Sequence, residues 1–337
     1  MVTTMSGATM TSRERVRRAL QFEEVDRIPV ENSFEGELQR KYPSDVARPP
    51  YTYPVGRSWG VENRKGRRMD IWGCIWEAGE DGVCGEVKES PLQGDWRRMD
   101  GFKSPFEVLE GADLSRVNDS CAASTKFMVP MWGDLIANPF ERMQHLRGTE
   151  QLFMGLAYME PEVYRLRDMV HEFFMRQLEM WAKTDVDAVH LADDWGAQRS
   201  FLISPALWRT FFKPLYRDYC RAAHECGKFV LMHSDGYIAD LIPELIEVGV
   251  DAVNAQLFCM PIEELAEKFA GRICFWGEID RQRLLPFGTT EEVRQAVRRV
   301  AAAFLRKRRT GVVGQCFEGK DHRMENIEAV YDEWSKV

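Results

Sequence analysis

The chain has 337 residues, 45% of them hydrophobic and 29% charged, enough apolar material for a substantial core and no bias toward disorder. A formal charge of -8 and a pI near 5.5 exclude the concentrated basic surface that phosphate neutralisation needs, so no nucleic-acid partner is expected. No apolar run approaches the ~20 residues that span a bilayer and "MVTTMSGATM" lacks a hydrophobic signal core, so the expectation is a cytoplasmic protein with no membrane partner.

Residues 1–10 read as a disordered N-terminal tail and residues 11–337 as a single domain. "SRERVRRALQFEE" reads as a helix capped by Ser12, and "DRIPVENSF" as a first strand. Between Lys41 and Gly66, and again between Gly79 and Gly94, Pro, Gly and charged residues predict long loops; "MDIWGCIWEAG" between them alternates like a strand or hairpin. "KFMVPMWGDLI" is a further strand ending in polar residues. From about residue 184 one pattern repeats, an apolar run ending in polar residues and then an amphipathic helix. "DVDAVHLADDWG" precedes a helix that Ser204-Pro205 starts and Gly227 stops, "KFVLMHSDG" precedes "YIADLIPELIEVG", and "VDAVNAQLF" precedes "PIEELAEKFAG". "RICFWGEID" and "GVVGQCFEG" open the last two units; the basic run Arg306–Arg309 suits the negative pole of a helix end. Eight cysteines without a CxxC pair read as reduced thiols.

These candidates sum to about eight strands, which predicts an α/β fold, a (β/α)8 TIM barrel with an N-terminal helix and long loops in its N-terminal half. An open doubly wound sheet is the alternative, but no glycine-rich phosphate turn follows any strand. A parallel barrel strand is apolar because both faces are covered, and chemistry is placed where it ends. The strand ends carry Glu31 and Asn32, Trp132 and Asp134, Asp193 and Asp194, His233 and Asp235, Asn254 and Gln256, Glu278 and Asp280, and Cys316 and Glu318.

An acidic set with one His and one Cys can hold a divalent metal, and His233, Asp235 and Cys316 would supply three ligands with one position open. Asp235 could equally cap a helix beginning near Tyr237, and Cys316 could be packing. Adjacent carboxylates on a strand point to opposite faces, so at most one of Asp193 and Asp194 is expected in the cavity. Trp72, Trp76, Trp132, Trp195 and Trp276 could line a pocket for a flat substrate or simply pack, and His322 reads as a surface residue. No Gly-x-Ser-x-Gly elbow, HExxH or P-loop is present.

"TSRERVRRALQFEEVDRIPV", "FVLMHSDGYIADLIPELIEVGVDAVNAQ", "FWGEIDRQRLLPFGTTEEVRQAVRR" and "ENIEAVYDEW" together resemble the uroporphyrinogen decarboxylase superfamily, from about Thr11 to the C-terminus. That resemblance implies a single (β/α)8 barrel domain. The region after the first strand, "VENSFEGELQRKY", lacks the arginine-rich stretch with which the decarboxylases hold substrate carboxylates. The likeness therefore points to the cobalamin-associated methyltransferase branch, where zinc is held by a His-x-Cys pair and a later Cys. His233 matches that histidine and Cys316 the later cysteine, whereas Asp235 stands where the first cysteine would be.

A carboxylate donates less electron density than a thiolate, which leaves zinc more electrophilic and suits an ether oxygen. The expectation is a zinc-dependent methyltransferase acting on a methylated small molecule, for example an aromatic methyl ether, with cobalamin carried by a separate corrinoid protein partner. Asp193 and Glu278 are the expected catalytic residues; Asp194, Trp195, Asn254, Gln256 and Trp132 are expected at the substrate. Glu278 is an alternative to Asp235 as ligand. A homodimer is compatible with the sequence. Two further readings stand beside this one, a metal-free decarboxylase or lyase using Asp193, Asp235 and Arg199, and a non-catalytic small-molecule-binding barrel.

Overall fold

The computed structural model describes residues 10–54, 64–83, 85–130, 137–305, 310–317 and 319–337; Trp132, Asp134, Glu318 and most of the expected tail lie outside the described residues. The strands in chain order are β1 (Val30–Glu31), β2 (Val46–Ala47), β3 (Gly66–Met69), β4 (Ile75–Ala78), β5 (Glu86–Glu89), β6 (Phe127–Met128), β7 (Ala188–Ala192), β8 (Phe229–Ser234), β9 (Ala252–Ala255), β10 (Cys274–Gly277) and β11 (Val312–Gln315). β7 to β11 are the five apolar runs read from the sequence, buried along almost their whole length, as a parallel sheet covered on both faces requires.

Six strands form one curled parallel sheet in the order β1-β11-β10-β9-β8-β7. β2 and β6 make a separate parallel pair that reaches both of its edges. Beside β1 the Asp45 amide donates to Val30 O (2.8 Å), and ahead of β7 the Asp187 amide donates to Met128 O (2.7 Å). The expected eight-stranded barrel is thus met by a curled six-stranded sheet with a two-stranded pair hydrogen-bonded to its ends. β1, β2 and β6 are only two residues long, and part of their pairing is made by a side chain, the Val30 amide donating to Asp45 Oδ2 (2.9 Å). Neither feature leaves a hydrophobic period to read, which is why β2 falls inside a stretch expected to be loop.

β3, β4 and β5 form an antiparallel sheet, so the expected hairpin is present, while the loop expected between Gly79 and Gly94 contains β5. The helices Pro139–Arg147, Thr149–Tyr158 and Pro161–Ala182 fill the region before β7. Thr11, not Ser12, caps the first helix; Ser12 Oγ instead donates to Asp45 (2.7 Å). Ser204 caps Pro205–Leu207 as expected, accepting from the Leu207 amide; a π-helical segment Trp208–Phe212 then leads into the helix Lys213–Glu225, and Gly227 stands just past that end with φ +70°.

The sheet interior is layered. Val16 and Leu20 of the first helix pack with Ala188, Leu231, Ala252, Cys274 and Val313 in one apolar cluster. Two residues further along each strand stand His190, His233, Asn254, Trp276 and Gln315, all buried, because alternate residues share a face. Strand pairing sets His233 opposite Asn254 and Asn254 opposite Trp276. An apolar floor therefore carries a polar layer at the carboxyl ends.

Beyond that layer the β7 and β8 loops touch backbone to backbone. The Gly196 amide donates to Asp235 O (3.1 Å) and the Tyr237 amide to Ala197 O (2.8 Å). Gly236 has φ +77°, and a Cβ there would lie 2.2 Å from Gly196 O, so both space and conformation demand glycine. Gly236→Ala is expected to cost more than about 2 kcal/mol in urea unfolding, whereas Gly79→Ala, with nothing within 4 Å, should stay within about 0.5 kcal/mol.

Candidate functional site

His233 is the last inward-facing residue of β8, and Asp235 follows two positions on. His233 Nδ1 lies 2.5 Å from Asn254 Oδ1, and the Asn254 Nδ2 group donates to Trp276 O (2.8 Å) and Gln315 Oε1 (2.6 Å). The other ring nitrogen, Nε2, faces two carboxylates: Asp235 Oδ1 at 3.4 Å and Asp194 Oδ1 at 3.7 Å. One ligand atom from each of Asp194, His233 and Asp235 lies within 4.8 Å of the others, and no further group of this kind occurs among the described residues.

The spacing fits a small cation. Bonds of about 2.1 Å at a tetrahedral angle separate ligand atoms by about 3.4 Å, close to the 3.4 and 3.7 Å found from Nε2 to the two aspartate oxygens. Asp235 Oδ1 is buried and, apart from His233 Nε2, faces no hydrogen-bond partner among the described residues, as a ligand oxygen beside a histidine would. Its other oxygen accepts from Arg281, and the Asp194 Oδ1 atom accepts from the Asp235 amide (2.8 Å). Asp235 does not cap a helix, the next one being Ile242–Val248.

Electrostatics follow from this crowding. Burial opposes a charge on His233, but Asp235, Asp194 and Glu278 lift it to about 9. Burial likewise opposes ionisation of Asp235, yet His233 and Arg281 hold it below the usual carboxylate range, while Asp194 is raised by burial and by Asp235. Without a metal, the site is an imidazolium between carboxylates, and the Nε2 proton occupies the place that a cation would take.

Glu278, at the end of β10, is 1% exposed, and neither of its oxygens has a hydrogen-bond partner among the described residues. Arg281 Nη1 is 3.6 Å from Oε1, and burial raises the Glu278 carboxyl above its ordinary range. Both residues line a cavity of about 140 Å³ together with Gln256, Gln198 and Cys259. Gln256 Oε1 accepts from the Gly236 amide (3.0 Å), tying the cavity wall to the β8 loop.

Other expected site residues are placed elsewhere. Asp193 faces away from His233: its oxygens accept from the Phe140 and Glu141 amides (3.0 and 2.9 Å) and from Tyr216. Burial pushes Asp193 up to about 8 against the pull of those donors, and its role is to anchor the start of the helix Pro139–Arg147. Asp194 takes the opposite direction, as alternation on a strand predicts. Trp195 is fully buried, stacked on Phe140 at 4.1 Å, and offers no face to a substrate. Trp72, Trp76 and Trp276 are buried too, Trp276 donating to Glu31 (2.6 Å), so no described tryptophan of the expected set lines the cavity. Asn254 holds His233 where a substrate contact was expected. Cys316 is buried just past β11, its thiol 3.7 Å from Phe317 O, and stands outside the converging group, where Asp194 takes the third place. His322, expected at the surface, has a buried side chain bridging Phe317 O and Arg281 O (3.0 Å each).

Gln198 in the cavity wall escaped the sequence reading, and so did two charged residues. Arg281 follows Glu278 by three positions and joins it to Asp235, while its guanidinium lies 4.4 Å above the Phe317 ring. Half-buried Glu141 is raised well above its ordinary range by burial and by Asp194 and Asp193, which places it in the field of the same site. The Arg281 spacing could have been noticed; Glu141 lies on a helix with no motif to flag it.

A cation must displace the Nε2 proton. Zinc affinity should therefore rise about tenfold per pH unit toward pH 9 and flatten above it, with about one proton released in calorimetry across buffers of different ionisation heat. Zinc binding without proton release below that range would contradict the assignment of His233.

Comparison with known proteins adds a family and a fold. The family model described as uroporphyrinogen decarboxylase (URO-D) matches residues 79–330. No curated protein matches the chain. Among solved structures, a methyltransferase from Methanosarcina mazei is 15% identical with a TM-score of 0.71, over 97% of this chain and 99% of that one, a likeness of fold. A structure of D-psicose 3-epimerase in the presence of D-fructose, 13% identical over 72% of this chain and 83% of that one, has a TM-score of 0.38 and carries no argument.

Proposed function

The chain belongs to the uroporphyrinogen decarboxylase family, and from that premise we propose that it is a zinc-dependent methyltransferase working with a separate corrinoid protein. The observation that carries this reading is the convergence of Asp194, His233 and Asp235 at the spacing of metal ligands. The shared fold with the Methanosarcina mazei methyltransferase supports it, as does the sequence likeness to the cobalamin-associated branch. In this reading the β2–β6 pair completes the eight strands of a (β/α)8 barrel, and the site sits at its carboxyl-end mouth.

His233 and Asp235 would hold the zinc, with Asp194 in the third place expected for Cys316. When bound there, zinc supplies a Lewis acid that draws electron density from a methyl ether oxygen. Gln256 and Gln198 in the cavity wall orient the substrate beside the ligand group. Glu278, whose carboxyl burial raises above its ordinary range, is the group that would give a proton to the leaving oxygen as the methyl–oxygen bond breaks, so that an alcohol or phenol departs uncharged. The bonding pair stays with that oxygen, and the reduced corrinoid of the partner would supply the nucleophilic electron pair that receives the methyl group. Arg281 keeps Asp235 ionised and returns a positive charge to Glu278 once its proton has left.

The reading is tested by metal analysis and methyl transfer on the purified full chain. About one zinc per chain is expected, with affinity at least tenfold weaker in His233→Ala and Asp235→Asn. Transfer from a methyl ether to reduced cobalamin should fall about 10²-fold or more in Glu278→Gln at unchanged zinc content. Full zinc binding in both ligand variants, or no zinc in any form, would remove the reading.

A further inference from the structure

We propose that Asn254 is a positioning residue that commits His233 to bind its cation through Nε2, and that the β10 main chain sets the direction of this control. The inference rests on the metal reading above but makes a claim that can be tested without it. Its starting point is the Trp276 carbonyl, which can only accept. Asn254 contacts that carbonyl at 2.8 Å with one end of its amide, so that end must be the NH2 group. The opposite end, 2.5 Å from His233 Nδ1, must then be the carbonyl oxygen. An oxygen at that distance requires Nδ1 to carry a hydrogen, and in the neutral ring this leaves the lone pair on Nε2, the nitrogen facing Asp194 and Asp235.

Gln315 fixes the arrangement from the next strand but one. Its Oε1 accepts from the second N–H of Asn254 (2.6 Å), so both donors of the amide are engaged. His233, Asn254 and Gln315 are 8%, 4% and 5% exposed, so water has little access to substitute for any of these bonds. Turning the Asn254 amide over would set oxygen against the Trp276 carbonyl and a donor against Nδ1. The metal-competent tautomer is therefore written into four neighbouring strands before any metal arrives, and the substrate-binding role expected for Asn254 is replaced by this one.

The test combines the ring's nitrogen NMR with zinc competition against a chelator. In the metal-free protein, above the pH range in which His233 is an imidazolium, long-range nitrogen–proton correlations assigned by difference with His233→Ala should show the Nδ1–H form. The same form should persist with zinc bound. Asn254→Leu should bind zinc about 10- to 100-fold more weakly, whereas Asn254→Asp, whose buried acid can donate to the Trp276 carbonyl while its other oxygen accepts at Nδ1, should stay within about threefold of the parent. An Nε2–H ring in the metal-free protein overturns the inference whether or not zinc binds. Equal loss of zinc in folded Leu and Asp variants, or no loss in either, overturns it while leaving the metal reading intact. Failure of the parent to bind zinc, with the Nδ1–H form observed, strikes the metal reading alone.

Discussion

The hydrogen bond between His233 and Asn254 joins adjacent strands at the level where the interior turns from apolar to polar, and its direction decides what the site can do. Below it lie Leu231, Ala252, Cys274 and Val313, which exclude water and give the polar layer no alternative partners. Above it lie Asp194 and Asp235, brought together by loops whose glycines let two backbones meet. A histidine in this position donates downward, so its neutral ring accepts upward. The raised His233 and the depressed Asp235 follow from the carboxylates and Arg281 crowded around Nε2.

Charge explains why the mouth is built with Arg281. Asp194, Asp235 and Glu278 crowd one small region, and without Arg281 a charge on buried Glu278 would have no nearby guanidinium to offset it. Arg281 reaches both Asp235 and Glu278, and its own loop is held by His322, which bridges the Arg281 and Phe317 carbonyls. The positive charge thus stays in register with the acids without occupying the position in front of Nε2. On one side of Arg281 stand Nε2 and the two aspartates, and on the other the cavity lined by Gln198, Gln256 and Cys259.

Much of this was legible in the sequence where burial leaves a pattern. The runs that became β7 to β11 are long and apolar, and reading the residue that follows each one gave His233, Asp235, Asp194, Asn254 and Glu278. What was not legible depended on direction or on non-local contact. Asp193 and Asp194 are the same residue type one position apart, and only the helix start at Phe140 shows which is an anchor. Trp195 sits beside the site in sequence but turns into an aromatic cluster, and Cys316 has the right strand end yet stands outside the converging group. β2 is two residues long and paired partly through the Asp45 carboxylate, so no periodicity announces it.

The most direct test of the account is anomalous diffraction at the zinc edge from a crystal of the full chain grown with zinc. The account predicts one strong peak within about 2.0–2.2 Å of His233 Nε2, Asp235 Oδ1 and Asp194 Oδ1, with Nδ1 still bonded to Asn254. A peak held through Cys316 without Asp194, or no peak beside His233, would contradict it.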